Sequence, residues 1–144
     1  MANSKACTLK ITSNVINLGE DGHPEGEIEK DEFTAQGFIK TDCGITELSY
    51  KEAREGAKIL CEVKVKNGSI EVKRRGDVVC DMVFVAEKTH KPVYRVPPFS
   101  FDMEILTSRV ESTIENVGGA ISLFYTMKIG GAEKRCRMKI SRID

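Results

Sequence analysis

The chain has 144 residues, 22 basic against 22 acidic side chains, and 40% apolar residues. That length predicts one domain, residues 1–144, large enough to bury a core. A formal charge of zero speaks against a dedicated nucleic-acid or anionic-membrane binder, because both need a positive field.

The start, MANSKACTLK, has no apolar core of signal-peptide length, and no run approaches the roughly 20 apolar residues of a membrane helix. These features predict a cytosolic protein with no membrane partner. Apolar residues then alternate with period two along most of the chain, as in half-buried strands. The first strand is expected over 7–18. The acidic, glycine-bearing stretch GEDGHPEGEIEK, residues 19–30, reads as a mobile loop before a strand over 31–41. A third strand follows over 45–52. Glu52, Ala53, Arg54 and Glu55 are good helix formers, yet cross-strand pairing favours a strand end and a turn around Gly56.

Strands over 58–66 and 69–76 flank Asn67-Gly68, a pair suited to the positive φ of a type I′ turn. That turn sets Val65 against Ile70, Val63 against Val72, Cys61 against Arg74 and Ile59 against Gly76. The other face places Lys64 against Glu71 and Glu62 against Lys73, opposite charges worth about 0.2–1 kcal/mol per pair. The basic run Lys73-Arg74-Arg75 therefore splits. Lys73 and Arg75 face water, Arg74 faces inward, and a nucleic-acid patch loses its support. A loop at 53–58 sets Tyr50 opposite Cys61, Leu48 opposite Val63 and Glu52 opposite Ile59. A turn at 76–78 sets Cys80 opposite Arg74, Met82 opposite Val72 and Phe84 opposite Ile70. One inner row then reads Tyr50, Cys61, Arg74, Cys80.

Further strands are expected over 79–86, 91–97, 102–115, 120–129 and 134–143. The strand over 102–115 changes parity between Ile105 and Leu106, so a bulge is expected near Leu106 and Thr107. A turn at 116–119 pairs Ile114 with Ile121 and Val110 with Tyr125. A four-residue turn at 130–133 pairs Met127 with Cys136, Tyr125 with Met138 and Leu123 with Ile140. The outer face there carries Arg135, Arg137 and Lys139, with Lys128 opposite Arg135. It reads as a solvated wall, or else as a docking strip for an anion or nucleic acid. Short strands and turns without helices give an all-β fold, an antiparallel sandwich or barrel.

A set of motifs recurs in a fixed order: ITSN at 11–14, Gly37, L-S-Y-K-E at 48–52, R-x-G at Arg74 and Gly76, M-V-F at 82–84, Tyr94 before Pro97, Met103 with Thr107, and GG-x-I-x-L-x-Y at 118–125. This resembles the YwiB-like bacterial family, of unknown function, over nearly the whole chain. The resemblance implies a calycin-like (lipocalin-like) barrel and a cytosolic bacterial setting, and it implies no reaction; with it the expected fold is a single closed or nearly closed antiparallel barrel of eight to ten strands in meander order. The family pattern has T-P-Y-G where this chain reads Val96-Pro97-Pro98-Phe99, and a glutamate in place of Gln36.

The chemistry-bearing candidates cluster at one barrel end. An inward Arg74 needs an acceptor, which Glu52 supplies, and the Tyr50 hydroxyl extends the network. Two readings follow: a structural plug, or an anchor for a small, partly apolar anionic ligand. In the second, Cys61, Met82, Phe84 and Tyr94 join Tyr50, Glu52 and Arg74 around the ligand, with Ile70 and Val72 completing the apolar wall. Small inward residues, Cys61, Cys80, Ser108 and Ser112, would leave it room. Tyr94 with Pro97-Pro98-Phe99 covers a barrel mouth, or else forms an apolar patch for a partner. His23 and His90 lack metal-ligand spacing, and no Ser-His-Asp set or phosphate-binding glycine loop is present, so neither metal, cofactor nor catalytic residue is expected. The five cysteines are scattered without a C-x-x-C pair and read as reduced core residues, with Cys61 an inert thiol despite Arg74 beside it. The partner set is then a small-molecule ligand and a homodimer left open. The competing reading is a structural or protein-interaction module whose barrel is filled by its own side chains.

Overall fold

A computed structural model describes residues 4–54 and 56–143, the side chain of residue 54 excepted. Among the described residues eleven strands run in order: β1 (Lys5–Leu18), β2 (Pro24–Asp42), β3 (Ile45–Arg54), β4 (Ala57–Lys66), β5 (Ser69–Gly76), β6 (Cys80–Phe84), β7 (Thr89–His90), β8 (Val93–Val96), β9 (Phe99–Ser112), β10 (Ala120–Ile129) and β11 (Ala132–Arg142). They form one antiparallel sheet in the order β6-β5-β4-β3-β2-β1-β11-β10-β9-β7, with β8 also on β9. Pairing of β1 with β11, from Leu9 opposite Arg142 to Leu18 opposite Glu133, joins the two chain ends. The remaining seam, between β6 and β8, is spanned by a bridge in which Val79 and Arg95 exchange two backbone hydrogen bonds of 2.9 Å. The sheet is thus a barrel, nearly closed, in meander order.

The register expected from Leu48 to Phe84 holds, but residues 53, 54, 57 and 58 are not loop: Ala53 pairs with Lys58 and Arg54 with Ala57, which extends β3 and β4. Tyr50 faces Cys61, Cys61 faces Arg74, and Arg74 faces Cys80. Gly68 has φ of 76°, as the Asn67-Gly68 turn requires. Gly56 also lies in a turn, at φ of 82°; Glu55 beside it lies outside the described residues.

Other expectations need correction. Residues 24–30 are not loop. They begin β2, and the β1–β2 ladder runs from Lys5 opposite Ile39 to Leu18 opposite Pro24, with a register shift between Val15 and Asn17. Backbone pairing carries this hairpin into solvent, where no apolar face is needed, so alternation could not mark it. The expected strand over 91–97 shortens to β8, and β7, which was not expected, precedes it at Thr89–His90; Pro92 between them has no N–H to give to a ladder, though its carbonyl accepts from Met103 N–H at 3.1 Å. The turn between β10 and β11 is two residues long, not four. Gly130 and Gly131, at φ of 57° and 82°, supply both positive angles of a tight hairpin turn. Tyr125 therefore faces Cys136 rather than Met138, Leu123 faces Met138, Met127 faces Lys134, and Lys128 faces Glu133 rather than Arg135. On the other side Leu123, not Tyr125, faces Val110, and Ile121 faces Ser112, not Ile114. The bulge in β9 falls at Ser108: Phe124 pairs with Arg109 and Tyr125 with Thr107.

The barrel has two unlike ends. The β3–β4, β5–β6, β8–β9 and β10–β11 turns ring one, together with the projecting β1–β2 hairpin. At the other, Ile114, fully buried in the 113–119 connection, fills the opening. Arg142 Nη1 donates to the carbonyls of Ile114 and Glu115 at 3.2 and 3.3 Å and holds that plug in place. Beneath it pack Leu9, Leu48, Val63, Ile70, Phe84, Ile105, Ile121, Leu123 and Ile140, all almost without solvent contact. Burial of each is worth roughly 1.5–3 kcal/mol relative to exposure, so this half is the stabilising core.

Candidate functional site

Strand alternation sends every second residue of β3, β4 and β5 into the lumen, and the register fixes their height. Glu52 and Arg74 come to lie at the ringed end, both partly buried, with Arg74 Nη2 donating to Glu52 Oε2 at 3.2 Å. The guanidinium has five N–H donors, and this single contact is not the bidentate arrangement that the sequence suggests. Burial works against its charge, yet the neighbouring Cys61 and Glu52 hold the Arg74 pKa above its ordinary value. Tyr50 is buried against Cys61, and its phenol is raised well above the usual range, first by burial, then by the thiol and the Glu52 charge. Burial also pushes the Cys61 thiol up, with Arg74 opposing. Cys61 is therefore a protonated wall residue at neutral pH, not an activated nucleophile.

Beside this cluster the lumen is not packed solid. A cavity of about 400 Å³ is bounded by Tyr50, Glu52, Cys61, Val72, Arg74, Met82 and Tyr94 on one side. The opposite wall comes from β1, β2 and β9 to β11: Ile11, Ser13, Asp31, Phe33, Met103, Tyr125, Met127, Cys136 and Met138. The Tyr125 ring lies 4.9 Å from that of Phe84, and the Phe33 ring 6.4 Å from that of Tyr50. Burial pushes the Cys136 thiol up to about 11. The volume lies within the roughly 300–1,000 Å³ of small-molecule sites.

Six of the seven expected site residues line this cavity: Tyr50, Glu52, Cys61, Arg74, Met82 and Tyr94. Phe84 does not; with Ile70 it belongs to the closed half, beneath Tyr125. Val72 lines the wall as expected. Of the small residues, Cys80 is buried away from the cavity, while exposed Ser108 sits on the bulge and donates to the Phe124 carbonyl at 3.0 Å. The far wall is absent from the expected site. A register error of two residues leaves each side chain on its correct face but at the wrong height, so parity could mark Tyr125, Met127, Cys136 and Met138 as inward without placing them at this level. Above the mouth, Tyr94, Val96, Phe99 and Phe101 share the β8–β9 face that leads down to Met103. Phe99 and Phe101 remain exposed.

Outside the barrel, Arg109 and Arg137 stack on Phe124 at 5.5 and 5.1 Å from the ring centre. Among the described residues no three His, Cys, Asp or Glu side chains converge as a metal site, and no helix is long and apolar enough to cross a membrane.

Residues 13–140 match a family described as a domain of unknown function (DUF1934). The chain is 28% identical over 124 residues to an uncharacterized β-barrel protein, YwiB, of Bacillus subtilis (strain 168), covering 86% of this chain and 85% of that one. A crystal structure of the ywiB protein from Bacillus subtilis superposes with a TM-score of 0.76 at 22% identity, over 96% of this chain and 94% of that chain. The two share the β-barrel.

Proposed function

The chain belongs to the DUF1934 family, whose function is unknown, and on that premise we propose that it is a non-catalytic, cytosolic binder of a small, partly apolar anionic ligand. The observation that carries this reading is the cavity of about 400 Å³ at the Arg74 end. Its walls are largely apolar, so an alkyl or aryl body gains by leaving water. Arg74 offers donors to a carboxylate or phosphate at the rim. Free thiols at Cys43, Cys61, Cys80 and Cys136 suit a reducing compartment.

Native mass spectrometry of protein purified from its own host tests for a co-purifying molecule. Titration with decanoate and with decanol tests the head-group assignment. All three tyrosines line the cavity and there is no tryptophan, so tyrosine fluorescence reports directly on entry. Arg74→Met is expected to weaken decanoate binding about tenfold or more, the worth of a charge-assisted hydrogen bond, and to leave decanol unaffected. Equal affinity of the variant and the parent for decanoate would remove the anionic part of the proposal. Absence of any bound species and of any fluorescence change would remove the rest.

A second reading is an interaction module working through the outer basic face. Among the described residues Arg135, Arg137 and Lys139 have no carboxylate within ion-pair distance, whereas Glu20, Asp21, Glu25, Glu27 and Glu29 stand exposed on the β1–β2 hairpin. Those charges suit a second copy of the chain, each hairpin against the other's basic face. Sedimentation equilibrium in 50 mM and 500 mM salt decides it: a dimer lost on raising salt supports this reading, and a monomer in both ends it.

A further inference from the structure

The cavity wall has an unusual composition. The sequence has five methionines, and the four within the described residues, Met82, Met103, Met127 and Met138, all line this one space. The closed half of the same lumen holds none. It is filled by Leu9, Leu48, Ile70, Phe84, Ile105 and Ile140, most of them branched. The β-branched isoleucines and the aromatic ring suit strands, and the isoleucines lock into few rotamers. Methionine has no such preference for strands, is unbranched, and turns about three bonds, so it fills spaces of irregular and changing shape. Four such residues on strands that otherwise use isoleucine, valine and leucine set local propensity aside at a single place, as functional sites do. Met82 approaches from β6, the others from β9, β10 and β11, so movable side chains face each other across the cavity. Met82, Met127 and Met138 are only partly buried, which leaves them room to turn.

Resting on the ligand-binding reading, we infer that the lumen is a deformable site whose ligands are a class of unbranched apolar tails of differing length, the methionines rearranging to fit each, rather than one shape-matched molecule. Selection then falls on the head group at Arg74, while the tail contributes through area removed from water. A rigid cavity behaves differently: affinity climbs with tail length until the space is full and then collapses.

Two measurements test this. In protein carrying ¹³C-labelled methionine methyls and no ligand, the three partly buried methyls should show low order parameters from rotamer averaging. In calorimetric titrations from hexanoate to dodecanoate, affinity should rise smoothly, by up to about fourfold per methylene, with no cut-off. The Met82→Ile/Met127→Ile/Met138→Ile variant should instead reach a maximum and lose at least tenfold within two further methylenes. A sharp optimum in the parent protein, or the same profile in both, overturns the inference. Rigid methyls with measurable binding overturn the inference alone. Mobile methyls with no alkyl carboxylate bound overturn it together with the ligand-binding reading.

Discussion

Replacing Glu52 by glutamine removes the carboxylate that Arg74 meets at 3.2 Å, and leaves the guanidinium in the barrel wall without that counter-charge. Breaking a fully buried ion pair costs about 3–5 kcal/mol. Here the two side chains keep 22% and 18% of their surface, so water screens part of the loss. The expected cost is about 1–3 kcal/mol, which for a chain of this size lowers Tm by roughly 3–10 °C. Arg74→Met removes the same contact from the other side and is expected to be destabilising as well. The double variant should be more stable than the sum of the single effects by about 1–2 kcal/mol. Urea unfolding followed by far-ultraviolet circular dichroism measures all four proteins; the chain has no tryptophan for fluorescence. Repeating the cycle at low and high salt separates an inward pair from a surface pair, since only the latter is screened away. A coupling under about 0.5 kcal/mol, or one that vanishes in high salt, would mean that Arg74 behaves as a surface charge and that its inward placement is wrong.

Gly37 lies opposite Tyr50, where a Cβ would come within 2.4 Å of the Ser49 carbonyl oxygen and 3.3 Å of Tyr50 Cβ. Gly37→Ala should therefore push β2 from β3, cost about 1–3 kcal/mol in urea unfolding, and loosen the Tyr50 wall; an unchanged midpoint would contradict the packing. The Cys136 pKa is raised in the fold, from 9.0 to about 11, so its stabilising contribution is complete below pH 9 and is lost as pH climbs through 11. The loss amounts to about 2–3 kcal/mol, and Cys136→Ala should flatten the fall between pH 8 and 10.5, a slope that must persist unchanged if the thiol is not buried. Tyr50 and Tyr125, also raised, extend the same trend to higher pH. Of the five thiols only Cys43 is exposed. A disulfide reagent should titrate one thiol quickly in the native protein and none in Cys43→Ser, and two fast thiols would refute the assigned burial.

Much of the architecture was legible in the residue order. Period-two alternation identifies strands, and Asn67-Gly68 anchors a register that carries Tyr50, Cys61, Arg74 and Cys80 into one row, because a tight turn leaves a single pairing on each side. The inward turn of Arg74 follows from that parity. Tertiary structure alone decided three things. Pairing of β1 with β11, and the Val79–Arg95 bridge, close the barrel between segments far apart in the chain, which no local pattern can encode. The height of Tyr125, Met127 and Cys136 depends on a two-residue turn at Gly130-Gly131 and a bulge at Ser108, both invisible to parity because a shift of two keeps every side chain on its face. The space beside Arg74 exists because Ile114 plugs one end while the methionines line the other without filling it, and a void is a property of side chains meeting in three dimensions rather than of any one of them.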